Sequence, residues 1–420
     1  MTKMIKMRLA FVIIVMIMLI ATSPFLKSAE AAKILYVGGT MALTGAYAED
    51  TAAALAAFED YAKYVNETRN LAPWRKEKFP ADITLEVLWR DDELKPAKAL
   101  TIFEELKAKG ILVFRASGSP QALALKDILW NNRMGATSQA VGPYLLTPPQ
   151  SIFSNTPLYT DDLAAIADWF KANWKETKKP RVAHLTADNA FGRSIDIPEM
   201  KAYLEKIGYE FVGSQYVPLV PTSPPTTQLM WLKKEGVDLA LGAMVNPGSQ
   251  PTIKEAVRLG MGPHLTYKIT FGFAYPCIAY FFCRDMKDLG NGVLIGGSYP
   301  SWEEGAPGIK FADQLQTKYR PDKRVGNTMY FEGMAEVMTQ VEALRLALQK
   351  VPFDKLTPRD VLEQGFFKIE NLDTGGLTST PLTYGPGKTE GVDAVRVDQV
   401  RAGNYVKVGS YPLRHVYKKE

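Results

Sequence analysis

The sequence has little cysteine and little histidine, two and three residues in 420. Cys277 and Cys283 are six positions apart, too far to bridge on one helix, and the spacing leaves a disulfide undecided until their Cα separation is known. His184, His264 and His415 have no second histidine or cysteine at metal-ligand spacing, so no metal site is expected. Long apolar runs are missing as well. The one from Leu9 to Ile20 is roughly a dozen residues, short of the ~20 that cross a bilayer. Neither sign of charge dominates, with 50 Lys and Arg against 45 Asp and Glu. That balance offers no electrostatic reason for a nucleic acid or an anionic membrane as partner.

Several catalytic signatures are also lacking. Gly38-Gly39 has no third glycine at dinucleotide spacing, which argues against a nicotinamide or flavin cofactor, and no cofactor is expected. Tyr384-Gly385-Pro386-Gly387-Lys388-Thr389 ends like a phosphate loop, but its first glycine would fall at Leu382 and Pro386 removes a donor, so it reads as a hairpin turn. No G-x-S-x-G elbow is present. Asp91-Asp92 could be an acid–base pair, yet neighbouring residues at a strand end point apart, which favours a turn.

What is present begins with a leader. Lys3, Lys6 and Arg8 precede the apolar run and Ala29-Glu30-Ala31 follows it, the three parts of a cleaved signal peptide over 1–31. Neither cysteine is placed to carry a lipid anchor, so a freely soluble periplasmic protein is expected. Removing the leader lowers the formal charge of +5 by three, to +2. The remaining chain of about 390 residues exceeds what one core serves, and two domains are the default.

Hydrophobic periodicity then alternates between strand and helix. Ile83, Leu85, Val87 and Trp89 alternate as a strand, and Leu55, Phe58, Ala62 and Val65 repeat at helical spacing over 50–70. Helices follow over 98–109 and 121–131, with strands at 111–114 and near Met134. After a loop at 148–160 comes a second series: helices over 162–174, 192–207, 226–234 and 249–259, and strands over 181–186, 210–217, 237–244 and 265–270. Two βα series imply an α/β fold with two parallel sheets covered on both faces. The last third offers helices over 309–318 and 330–349 and strands over 394–400 and 405–411. In such sheets ligands bind beyond the carboxyl ends of the strands. The loops there are small and hydroxyl-rich, and the helix N-termini beyond them favour an anion such as a carboxylate. Tyr47, Tyr159, Phe191, Phe271, Phe273 and Tyr275 fall at or beside these ends, as in an apolar pocket with polar tips.

Leu43-Thr44-Gly45, Asp91-Asp92 followed by Pro96 and Ala99, Ser117-Gly118-Ser119, Asp188-Asn189-Ala190-Phe191-Gly192 in place of D-x-x-Y-G, and Tyr330 opening a long helix occur in one order behind the leader. In this the chain resembles the branched-chain amino acid (leucine/isoleucine/valine) binding proteins of ABC importers, the type I periplasmic binding proteins, over nearly all of its mature length. The resemblance implies two Rossmann-like lobes joined by three crossovers near Asn155, Pro300 and Gly375, with 32–155 plus 300–375 in one lobe and 156–299 plus 376–420 in the other. It also implies no catalysis, closure on a solute, and delivery by a monomer to an inner-membrane permease and its ATPase. A leucine-like amino acid receptor and the ligand-sensing domain of a signalling system are the alternatives, and a secreted hydrolase lacks a triad or metal set.

By the same resemblance Ser117, with Ser119 beside it, matches the serine that holds the ligand carboxylate, and Thr137 and Ser138 supply the next hydroxyls. Tyr47 matches the first-loop aromatic and Phe191 stands where a tyrosine is usual. The expected ligand set is Tyr47, Ser117, Ser119, Thr137, Ser138, Tyr159, Phe191, Asn246 and Phe271. Tyr159 and Phe271 occupy the two places where amino acid receptors clamp the ammonium with acids. A buried ammonium without a counter-charge costs on the order of several kcal/mol. The expected ligand is therefore a compact carboxylate or amide with an apolar or aromatic body, although a small shift in alignment would bring Asp161 or Asp162 into place.

Overall fold

The computed structural model describes residues 32–417 apart from Leu146, Pro149, residues 275–277 and Ser298. The expected leader and Cys277 lie outside the described residues, and Cys283 is a half-buried free thiol.

The first lobe opens with β1 (Lys33–Met41), α1 (Ala48–Thr68), β2 (Ile83–Asp91), α2 (Pro96–Ala108), β3 (Phe114–Ala116), α3 (Ser119–Asn131), β4 (Ala136–Ser138) and β5 (Ile152–Phe153). β1 pairs with β2, and β3, β4 and β5 pair in turn, all parallel. The two groups lie side by side because Gly39 carries no side chain: a Cβ there would sit 2.4 Å from the backbone of Arg115. Thr40 completes the seam, its hydroxyl donating to Arg115 O and accepting from Ser117 N.

The second lobe contains α4 (Tyr159–Asn173), β6 (Arg181–Ala187), α5 (Ala190–Arg193), α6 (Pro198–Lys206), β7 (Glu210–Val217), α7 (Thr226–Lys234), β8 (Leu239–Ala243), α8 (Asn246–Arg258), β9 (Thr270–Ala274), the short α9 (Ile278–Phe281) and β10 (Leu294–Gly297). The chain returns to the first lobe with α10 (Pro307–Tyr319) and α11 (Met329–Leu348), then closes the second sheet with β11 (Ala394–Arg401) and β12 (Asn404–Pro412). That sheet runs β12-β11-β10-β9-β8-β6-β7, parallel from β7 to β10 and antiparallel at β11 and β12.

Each lobe has its own core. Val37, Phe58, Phe79, Tyr330, Phe331 and Phe366 pack in the first, where Phe153 stacks on Phe366 at 4.5 Å. Leu185, Leu229, Ile253, Phe273 and Phe282 pack in the second. Each such side chain contributes roughly 1.5–3 kcal/mol by leaving water.

Three expectations change. The helix expected over 192–207 is two helices, because Pro198 starts α6 and Asp196, between them, accepts from Ser214 and Tyr216 and pairs with His184 Nδ1 at 3.1 Å. The strand expected over 265–270 lies later: Met261 bridges Tyr267 in a turn, and β9 takes Thr270–Ala274. The third crossing falls near Glu390 rather than Gly375, since Leu377, Leu382, Tyr384 and Val392 pack in the first core and Gly375 O accepts from Gly308 N. There it runs beside the first crossing, with Ser154 N donating to Thr389 O and Gly391 N to Ser154 O, both at 2.8 Å. The second crossing is tied to the first by Tyr299 Oη donating to Asn155 Oδ1 at 3.0 Å.

Candidate functional site

One apolar cluster, largely the core of the second lobe, extends past its strand ends to residues of the first. It joins Ala42, Tyr47, Val141 and Met329 to Tyr159, Phe191, Val245 and Ala274, residues of both lobes in one contiguous group. Phe191 meets Tyr159 edge-on with ring centroids 4.8 Å apart. Asn189 positions it, its side chain capping α5 by accepting from Gly192 N at 3.0 Å. The lobes are therefore closed on each other.

The polar groups of the junction divide into those that hold the frame and those left over. Arg115 is fully buried, with Nε 2.6 Å from Glu336 Oε2 and Nη2 2.9 Å from Gln139 Oε1. Gln139 Nε2 donates to Ser117 O at 2.6 Å, and Gln340 Nε2 donates to Thr137 Oγ1 and Phe114 O, both at 3.0 Å. The Ser117 hydroxyl donates to Asp92, and Ser138 Oγ donates to Ala116 O. The hydroxyls of Ser117, Thr137 and Ser138, expected to receive a ligand, are thus bonded within the frame. Asp91 and Asp92 serve the turn as expected, accepting from the backbone of Leu43, Glu93 and Leu94. Burial raises the pKa of Asp92 against the opposing effect of the Ser117 hydroxyl.

Left over at the mouth of the first lobe are Ser119, Gln121 and Tyr144. Both amide atoms of Gln121 are buried without a hydrogen-bond partner among the described residues. Burial pushes Tyr144 up to about 12, and its interaction with Ser119 opposes the rise. Tyr159 is raised well above the usual range by burial, donates to Gln139 O at 3.2 Å, and is also drawn to Ser119. Ser119 therefore lies between two phenols. In the second lobe Asn246 Oδ1 is buried without a partner at the start of α8. Neither α3 nor α8 has a side chain capping its N-terminus, which leaves the positive end of each helix dipole open at the junction.

Of the expected residues, Tyr47, Ser119, Tyr159, Phe191 and Asn246 stand at or beside the junction. Phe271 does not: it is the second residue of β9, opposite Ala240, in the core of the second lobe. Its other side faces a cavity of about 300 Å³ away from the junction, with Ile253, Met261 and Leu289. The acids beside Tyr159 also turn away. Asp161 accepts from Arg414 N at 2.8 Å, and Asp162 lies against Gly296 of β10. Asp50 is buried, with Asn327 Nδ2 donating to its Oδ1 at 2.8 Å; burial, then Asp50, raises the Tyr47 pKa. Sequence reasoning missed Gln121 and Tyr144. The first is one position beyond Pro120 in the first turn of α3, a signal that was legible. The second lies in a connection with no periodicity.

Two α/β lobes meeting at a junction, with the chain passing between them three times, define the bilobal solute-binding class. The chain belongs to the periplasmic binding protein family, whose model matches residues 35–383. A branched-chain amino acid ABC transporter protein from Thermus thermophilus with bound valine superposes with a TM-score of 0.79 at 22% identity, over 91% of this chain and 97% of that one. A fatty acid ABC transporter substrate-binding protein from Thermomonospora curvata gives 0.75 at 20%, over 91% and 93%. A solute-binding protein of an ABC transporter from Rhodopseudomonas palustris BisB5, in complex with 3,4-dihydroxybenzoic acid, gives 0.72 at 17%, over 90% and 98%. No curated protein matches in sequence.

Proposed function

We propose that this protein is the exported receptor of an ABC importer, closing on a compact carboxylate or amide with an apolar or aromatic body and handing it, as a monomer, to a permease. The leader over 1–31 supports export, and the division into lobes near Asn155, Pro300 and Glu390 supports closure about those crossings. The observation that carries the ligand class is the pair of unpartnered side chains, Gln121 and Asn246, in the first turns of two helices without side-chain caps, together with the apolar cluster of Tyr47, Tyr159 and Phe191. An anionic or amide head fits the former and a flat or branched apolar body the latter. Ser119 takes the role first given to Ser117. The solutes of those similar proteins, valine, fatty acid and a dihydroxybenzoic acid, share a carboxylate.

A leucine-like amino acid is the second reading, and buried Asp50 beside Tyr47 favours it, as a counter-charge for an ammonium. Calorimetric titration of refolded, solute-free protein with benzoic acid, 3,4-dihydroxybenzoic acid, a short-chain fatty acid and L-leucine separates the two. Saturable binding of a carboxylate lacking an amine is expected, weakened about tenfold or more in Phe191→Ala. Tight leucine binding with no response to the others would overturn the assignment.

A further inference from the structure

One segment of the second lobe reaches across to the first. α9 runs into a π-helical turn over Phe282–Met286, and the two form a strap. Its inner side is fixed to the second lobe. Phe282 is fully buried and stacks on Phe273 of β9 at 6.1 Å, while Gln250 of α8 donates to Phe281 O at 3.2 Å and to Asp285 Oδ2 at 2.9 Å. The outer side touches the first lobe at two places. Arg284 donates through Nη1 and Nη2 to the two carboxylate oxygens of Glu49, in the first turn of α1. Tyr280 faces Gly326, where an added Cβ would lie 3.3 Å from the ring.

Both places flank the junction. Glu49 is two residues beyond Tyr47, and Gly326 precedes Asn327, the donor to Asp50. The guanidinium is held before it meets Glu49: it lies 5.1 Å from the ring centres of both Tyr280 and Phe281, and Asp285 accepts from its Nε and Nη2 at 2.6 and 2.9 Å. An exposed ion pair formed by two mobile side chains contributes little, because their ordering offsets the attraction. Here one partner is already ordered, and the fork geometry of arginine suits both carboxylate oxygens.

We propose that Arg284 and Glu49 are a latch across the mouth of the cleft, carried by the strap and formed only when the lobes close. It sets how much of the solute-free receptor is closed, and so the apparent affinity for any solute. This rests on the receptor reading, but its test needs no solute. Small-angle scattering of solute-free protein gives the closed fraction for wild type, Glu49→Gln, Arg284→Gln and the double variant at low and high NaCl. Each single variant is expected to shift the open/closed ratio about two- to fivefold toward open and to remove its salt dependence, with the double variant no more open than either single. Both positions are partly exposed, and thermal melts that match wild type confirm folding. Unchanged closed fractions, or single effects that add, would overturn the latch. A failure of all solutes to bind in the titration would instead strike the receptor reading and leave these ratios measurable.

Discussion

At the residue scale, the junction rests on buried charge. Arg115 faces Glu336, whose second oxygen has no partner among the described residues. Such a pair adds little net stability but fixes geometry, and here it orients Gln139 and, through it, the β3–α3 turn that presents Ser119. Glu390, at the third crossing, is a buried acid of a different kind. Burial, then the nearby Asp161, pushes its carboxyl up to about 8, with Leu158 N donating to it at 2.8 Å and Lys388 opposing the shift. Because the unfolded chain gives up this proton near the ordinary glutamate value of about 4.3, stability falls as pH rises from there through about 8, then levels. Glu390→Gln retains an acceptor for Leu158 and loses the ionisation. Urea denaturation should find it about 1–3 kcal/mol more stable than wild type above pH 8, the difference vanishing toward pH 4.

At the element scale, the first lobe depends on two helices that cross closely. A Cβ on Gly333 of α11 would lie 2.4 Å from Ala54 O of α1, so the contact needs a missing side chain. α11 is held in place because Gln340 accepts from Gly38 N at 2.9 Å and donates to Phe114 O at 3.0 Å. Gly333→Leu is expected to cost about 1–3 kcal/mol or to prevent folding, read as a lowered denaturation midpoint in the first lobe. Element order was legible because helix and strand periods differ along most of the chain. Where it failed, a side chain had overridden the local pattern. Asp196 interrupts an amphipathic run to serve His184, Ser214 and Tyr216, and β9 takes the alternating Phe271 and Phe273 because both face one core.

At the scale of the whole molecule, the apolar cluster spanning both lobes makes closure part of the stability. Tyr47 of the first lobe shares this cluster with Phe191 of the second, and separating the lobes would return such faces to water. A solute that binds the closed form stabilises it by mass action, by about 2.7 kcal/mol when present at a hundred times its dissociation constant. Protein isolated natively with its solute should therefore melt several degrees above the same protein after unfolding, dialysis and refolding, and adding back the co-purified extract should restore the difference. Equal melting temperatures would show that no such solute is retained.

The sequence by itself determined the α/β class: the alternation of strand and helix, the two series, and the aromatic residues Tyr47, Tyr159 and Phe191 at strand ends. These follow from local periodicity and chain order, which one dimension records. Only the tertiary structure decided which hydroxyls belong to the frame, because Ser117, Thr137 and Ser138 are bonded to partners distant in sequence, and that Gln121 and Asn246 keep buried polar atoms without partners among the described residues. It also decided that Phe271 is core and that Arg284 reaches Glu49. A hydrogen bond is chosen by three-dimensional proximity among many chemically equal candidates, and that choice is made when the lobes pack.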